Sequence, residues 1–244
     1  MTLPHSDERE DLAAAFRAAA AMELNEGICN HFSLALPGGE ERYLINPYGV
    51  HWSEMRPDHL LTIDGDGQVL EGDGEVEATA RFIHISAHRA NPRHAAVLHT
   101  HMPHATALTM LEGGRLEMAH QTACRFHDRV VYVEEFGGLA LDEEEGEAIA
   151  ASAKQDAHAD VFFLKHHGVT VCGPSVAEAF DDLYYLERAA RQQVLAQSTG
   201  RALKIMSSDQ VENTARQMRQ GMKVSADEHF AALRRLHPAP AGRT

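Results

Sequence analysis

The sequence predicts a single α/β domain, and three observations carry that expectation. Short apolar runs of strand length alternate with longer stretches of helical periodicity. The junctions between them are turn-forming, as at Pro37-Gly38-Gly39, Pro47-Tyr48-Gly49 and Asn91-Pro92. The 244 residues, 44% of them apolar, contain no internal repeat, linker or low-complexity tract that would divide one core into two.

Residues 6–24, rich in Ala, Leu, Glu and Arg, read as an opening amphipathic helix. Strand signals follow at Phe32–Leu36, Tyr43–Asn46 and Leu60–Ile63. Asp64-Gly65-Asp66-Gly67 reads as a hairpin turn into Gln68–Leu70; Gln68 and Val69 stand where a calcium loop wants an acid and a glycine. Residues 77–90 form a helix that Asn91-Pro92 stops, because proline disfavours helical geometry in the residue before it. Ala95–Thr100 is a buried strand, Pro103 opens a helix to about residue 111, and Val130–Val133 is another strand. Asp142, with Glu145 three residues on, has the pattern of a helix-opening capping box. Val161–Leu164 and Val169–Cys172 are strands around a His-His-Gly turn, and Ser175 starts a helix to about residue 198. Residues 200–244 form a helical C-terminal arm on the 1–244 domain, in which Val211, Met218, Met222, Phe230 and Leu233 offer apolar surface.

Charge and composition exclude several partners. Lys plus Arg 22 against Asp plus Glu 36 gives a net charge of −14, a poor footprint for nucleic acid or an anionic membrane surface. The Ala-rich stretch Leu12–Met22 is cut by Arg17 and is too short to span a bilayer. Cys29, Cys124 and Cys172 are an odd set without paired spacing, and the acidic N-terminal residues lack the order of a secretory signal, so a cytoplasmic protein is expected.

Histidine is the abnormal feature. There are 17, and eight of them (His84, His88, His94, His99, His101, His104, His120, His127) fall within residues 84–127. A lone histidine is usually a satisfied core or surface residue, so spacing must decide. His99-Thr100-His101 follows the apolar run Ala95-Ala96-Val97-Leu98. Residues two apart on a strand face the same side, so two imidazoles can converge on one ion while Thr100 points away. Lys165-His166-His167-Gly168 sits between two apolar strands, where a turn histidine can aim at the strand mouth, and Gly168 permits a turn that a side chain would obstruct.

These motifs resemble those of the class II aldolase/adducin family. The resemblance runs from Asn25-Glu26-Gly27-Ile28-Cys29-Asn30-His31-Phe32-Ser33 through Ile45-Asn46-Pro47-Tyr48-Gly49, the two histidine motifs and the helix from Ser175, over roughly residues 8–200. It implies a three-layer α/β/α sandwich on a mixed, mainly antiparallel central sheet. It further implies that His99, His101 and His167 bind one divalent metal per chain, with zinc first and iron or manganese as other candidates, and that the chain assembles as a homotetramer. The loop at Asn30 and Ser33 corresponds to the family's substrate-binding loop.

The chain departs from the family's sugar-phosphate aldolases at the base. Those enzymes carry Ser-Ser-Glu ending four residues before the histidine that matches His84, whereas Ala78-Thr79-Ala80 stands here. Thr79 retains one hydroxyl for substrate; the proton is expected to move through metal-bound water or hydroxide, with Glu77, one turn before Ala80, and His84 as the candidate catalytic side chains. The tyrosine acid expected near the C-terminus has no counterpart, since no Tyr follows Tyr185. The reading is a metal-dependent aldolase-like lyase acting on a small hydroxy or oxo carbonyl compound by Lewis-acid stabilisation of an enediolate. The alternatives are other metal-dependent chemistry on the same fold (a decarboxylase, epimerase, dehydratase or iron oxygenase) or a non-catalytic adducin-like binding domain.

Overall fold

Eight strands form one sheet in the order β4-β3-β2-β1-β5-β8-β7-β6. They are β1 (His31–Ala35), β2 (Arg42–Ile45), β3 (Leu61–Asp64), β4 (Val69–Glu71), β5 (Ala96–Thr100), β6 (Val130–Val133), β7 (Val161–Leu164) and β8 (Gly168–Gly173). Every neighbouring pair is antiparallel except β6 with β7. The computed structural model describes residues 3–77, 79–134, 136, 138, 150–151 and 158–241. Ala78 and the capping box expected at Asp142 lie outside the described residues.

Helices cover both faces, giving the three layers. On one face lie α1 (Ser6–Ala21), α3 (Pro103–Thr109), α4 (Val176–Gln197) and α6 (Met222–Leu236), which share a core with Phe32, Leu98, Phe163 and Val171. On the other face α2 (Ala80–Ala90) packs Ile83 and Ala87 against Val97, Phe162 and Cys172. α1 is buried over residues 12–19, and its two buried arginines are satisfied by carbonyls, Arg9 by Leu60 (2.7 Å) and Arg17 by Met55 (2.9 Å). No helix among the described residues is long and apolar enough to cross a membrane.

Two local differences from the sequence reading have clear causes. Helix α2 starts at Ala80 rather than residue 77, because the Glu77 carboxylate turns back to accept from the backbone N–H of Thr79 (2.9 Å) and Ala80 (3.1 Å) and so occupies the capping role. The C-terminal arm breaks at Gln220-Gly221 into α5 (Ser208–Arg219) and α6. Val211, Phe230 and Leu233, expected to supply surface for subunit contacts, are buried within the chain, where Phe230 meets Phe180 of α4. At Asp64–Gly67 the expected hairpin turn is present, with Asp64 Oδ1 accepting from the N–H of Asp66 and Gln68, both at 2.9 Å.

Candidate metal centre

The register of the sheet assembles the site. Strand alternation sends Phe32 and Leu98 to the core shared with α1 and α4, and His31, Ser33, Val97 and His99 to the face covered by α2. His31 lies directly opposite His99 across the β1–β5 pair, and their rings stack with centroids 4.9 Å apart. His101 follows at the open end of β5. The tight β7–β8 turn is made by His166 in a left-handed conformation (φ 57) and delivers His167 to the same place. Gly168 is required here by proximity: a Cβ would stand 2.6 Å from the Thr100 carbonyl oxygen and 2.7 Å from the His101 ring.

His99, His101 and His167 each present one nitrogen within 4.8 Å of the other two. Two of the rings have their orientation held from behind. His99 Nδ1 lies 3.1 Å from the Val169 carbonyl oxygen, and His101 Nδ1 lies 2.5 Å from Glu26 Oε2. Both partners only accept, so each Nδ1 carries a proton and Nε2 is the nitrogen left to face the site. Those two Nε2 atoms are 3.2 Å apart. Two ligands at ~2.0–2.1 Å in a tetrahedral arrangement stand about 3.4 Å apart, so the spacing suits a shared ion. Burial, then the neighbouring His167, His31 and His101, hold the His99 pKa well below its ordinary value, which keeps the ring in the neutral form that coordination needs. The donor set therefore fits a divalent cation such as zinc or iron.

Glu26 escapes the sequence reading although it lies in the quoted run Asn25–Ser33. The loop that carries it is ordered by Asn30, itself in a left-handed conformation (φ 77), whose Oδ1 accepts from the N–H of Glu26 (3.0 Å) and His101 (3.4 Å). The other amide atom, Asn30 Nδ2, is buried and makes no hydrogen bond. A buried donor of this kind costs about 1–3 kcal/mol if nothing meets it, and a bound substrate oxygen would meet it.

The remaining expected residues sit behind or beside the histidine trio. His84 is buried on α2, with Nε2 at 2.7 Å from His31 Nδ1 and Nδ1 at 2.5 Å from Ser33 Oγ. Ser33 is fully buried and also lies 2.7 Å from His88 Nε2, so its hydroxyl is spent between two histidines and has no path to substrate. The Thr79 hydroxyl donates to Glu77. Glu77 Oε2 lies 3.6 Å from His31 Nε2. Burial raises the Glu77 pKa, but a protonated His31, with Thr79, outweighs it and brings it down to about 2. Such a carboxylate is a weak base near neutrality and a good partner for a cation. His31 is the other residue that sequence reasoning misses; its only signal is alternation with Ser33 on a strand whose partner the sequence does not name.

Fold and site together define the class. Residues 10–194 match the family model described as Class II Aldolase and Adducin N-terminal domain, and the chain belongs to this family. The crystal structure of an aldolase II superfamily protein from Pseudomonas syringae is similar at 32% identity and a TM-score of 0.84, covering 94% of this chain and 91% of that one. Decarboxylase NovR of Streptomyces niveus is 29% identical over 191 residues, 78% of this chain and 69% of its own. The L-fuculose 1-phosphate aldolase of Glaciozyma antarctica superposes with a TM-score of 0.82 over 94% of this chain and 89% of its own; at 22% identity that likeness shows the fold alone.

Proposed function

We propose that the chain is a metal-dependent carbon–carbon lyase of the class II aldolase type, acting on a small unphosphorylated hydroxy or oxo acid. The carrying observation is the pair of His99 and His101 Nε2 atoms 3.2 Å apart with both Nδ1 atoms engaged by acceptors, and His167 beside them. A divalent cation there would act as a Lewis acid toward adjacent hydroxyl and carbonyl oxygens of the substrate. Three neutral ligands leave the cation's charge uncompensated, which favours an anionic chelating substrate.

The chain's own residues supply orientation and proton handling. Asn30 Nδ2, buried and without a hydrogen bond, would donate to a substrate oxygen. Position 80 is alanine and cannot move a proton, so that work falls to the face of His31 Nε2, with Glu77 beside it to balance the charge that His31 acquires. The loss of the family's serine pair, with Thr79 turned onto Glu77, removes donors that a phosphate would need against its desolvation. The similarity to decarboxylase NovR supports a second reading, in which the same centre stabilises charge left by departing carbon dioxide. A homotetrameric, cytoplasmic enzyme completes the proposal; light scattering at micromolar concentration giving a mass near one 26.8 kDa chain would count against the assembly.

A carbonyl-substrate panel on zinc-loaded and iron-loaded protein tests the reading. Turnover of a hydroxy or oxo acid is expected to exceed that of any ketose 1-phosphate. A kcat/KM above about 10⁴ M⁻¹s⁻¹ on a ketose 1-phosphate would overturn the substrate assignment. Metal bound without turnover of any member would favour an adducin-like binding role.

A further inference from the structure

Behind His31 a continuous chain of hydrogen bonds runs through the α2 face of the sheet: His31 Nδ1 to His84 Nε2 (2.7 Å), His84 Nδ1 to Ser33 Oγ (2.5 Å), Ser33 Oγ to His88 Nε2 (2.7 Å) and His88 Nδ1 to the His94 carbonyl oxygen (2.6 Å). All four side chains are buried. We propose that this chain is one-way and that Ser33, His84 and His88 are positioning residues: they hold His31 with its proton on Nδ1, so that the unprotonated Nε2 is the atom turned toward Glu77 beside the histidine trio. The inference deepens the lyase reading and rests on it for its catalytic meaning, but the proton positions stand on the geometry alone.

The direction follows from the end that has no choice. A carbonyl oxygen only accepts, so His88 Nδ1 carries a proton. A neutral His88 then has a lone pair on Nε2, and the Ser33 hydroxyl donates to it. Having a single hydrogen, Ser33 accepts from His84, which places the His84 proton on Nδ1 and its lone pair on Nε2. That lone pair accepts from His31 Nδ1. Each ring is thereby assigned from the next link alone, and the serine, with its single hydrogen, carries the direction from His88 to His84 by donating to one ring and accepting from the other. At 3.6 Å, His31 Nε2 and Glu77 Oε2 are further apart than a hydrogen bond, as two atoms that both lack a proton should be. The Glu77 carboxylate is meanwhile satisfied by Thr79 and Ala80.

Histidine-selective ¹⁵N nuclear magnetic resonance on the zinc-loaded full chain reads the proton on each ring nitrogen directly, with single His→Gln variants for assignment. The expected result is that His31, His84 and His88 all carry their proton on Nδ1. A proton on Nε2 of His84 or His88 would overturn the proposal whatever the enzyme's activity. Ser33→Ala supplies the second arm. Without the hydroxyl, a proton on His84 Nδ1 has no acceptor and His84 is expected to move it to Nε2, which forces the His31 proton to Nε2 against Glu77. Unchanged tautomers of His84 and His31 in Ser33→Ala would show that Ser33 fills space only. Unchanged His94 signals in the same spectra show that the variant is folded. A protein that has the predicted tautomers but turns over no substrate would refute the lyase reading and leave this assignment intact.

Discussion

Replacing Glu26 by glutamine isolates the contribution of a residue that touches His101 from outside the trio. The carboxylate lies 2.5 Å from His101 Nδ1, and in Glu26→Gln the side-chain amide would keep an acceptor there while removing the charge. Partners of this kind, on the far side of a ligating histidine, are worth about 10–100-fold in metal affinity, or roughly 1.4–2.7 kcal/mol at 1.36 kcal/mol per tenfold. The Glu26 side chain is 66% exposed, so solvent screening puts the effect near the lower end, about tenfold. Competition against a chromophoric chelator, with zinc added to metal-free protein, measures the change. Glu40→Gln, on an exposed turn, is the control and should change nothing. If Glu26→Gln binds zinc within about twofold of the unchanged chain while His101→Ala binds none, Glu26 does not orient His101.

Two further expectations come from the framework around the centre. Gly168→Ala should lower both zinc affinity and stability, because the added Cβ meets the Thr100 carbonyl and the His101 ring below 3.0 Å; isothermal titration with zinc and thermal unfolding on the same sample would show both, and an unchanged variant would mean the β7–β8 turn yields freely. His94 has Nδ1 and Nε2 each 3.1 Å from a carbonyl oxygen, of Ala87 and Ala159, so both nitrogens carry protons and the ring is a buried cation 3.5 Å from Asp160. Burial opposes that charge, but Cys172, Asp160 and the Ala87 carbonyl outweigh it and push the His94 pKa up to about 10. A pKa raised on folding stabilises fully below the unfolded value of 6.5 and loses that contribution as pH climbs through the folded one. The stability advantage of the unchanged chain over His94→Gln should therefore shrink between pH 6.5 and about 10, by up to about 1.4 kcal/mol per pH unit, in urea unfolding series; a constant difference across that window would show that His94 is neutral.

What is legible in the sequence is what depends on local pattern. The strand signals lie within about a residue of the observed strands, because alternation and turn residues are read over a few positions. The same-face geometry of His99 and His101 is a property of any strand, and the His167 turn is bracketed by two apolar runs. The parts that stay hidden are non-local. No short-range pattern pairs His31 with His99, since that depends on the β1–β5 register between strands far apart in the chain. Long stretches of chain likewise separate Glu26 from His101, and Ser33 from His84 and His88, so Ser33 reads as a loop residue for substrate when the strand in fact turns it onto α2. The helix start at Ala80 is obscured by Glu77, whose side chain imitates a cap from a position that periodicity alone assigns to the first turn.

Metal content decides whether His99, His101 and His167 form one centre. Elemental analysis of the full chain, purified without chelator and then equilibrated with zinc and desalted, should give one zinc per chain, falling to a small fraction of that in His99→Ala and in His167→Ala while Glu40→Gln retains it. Full occupancy in either histidine variant would contradict a centre built from His99, His101 and His167.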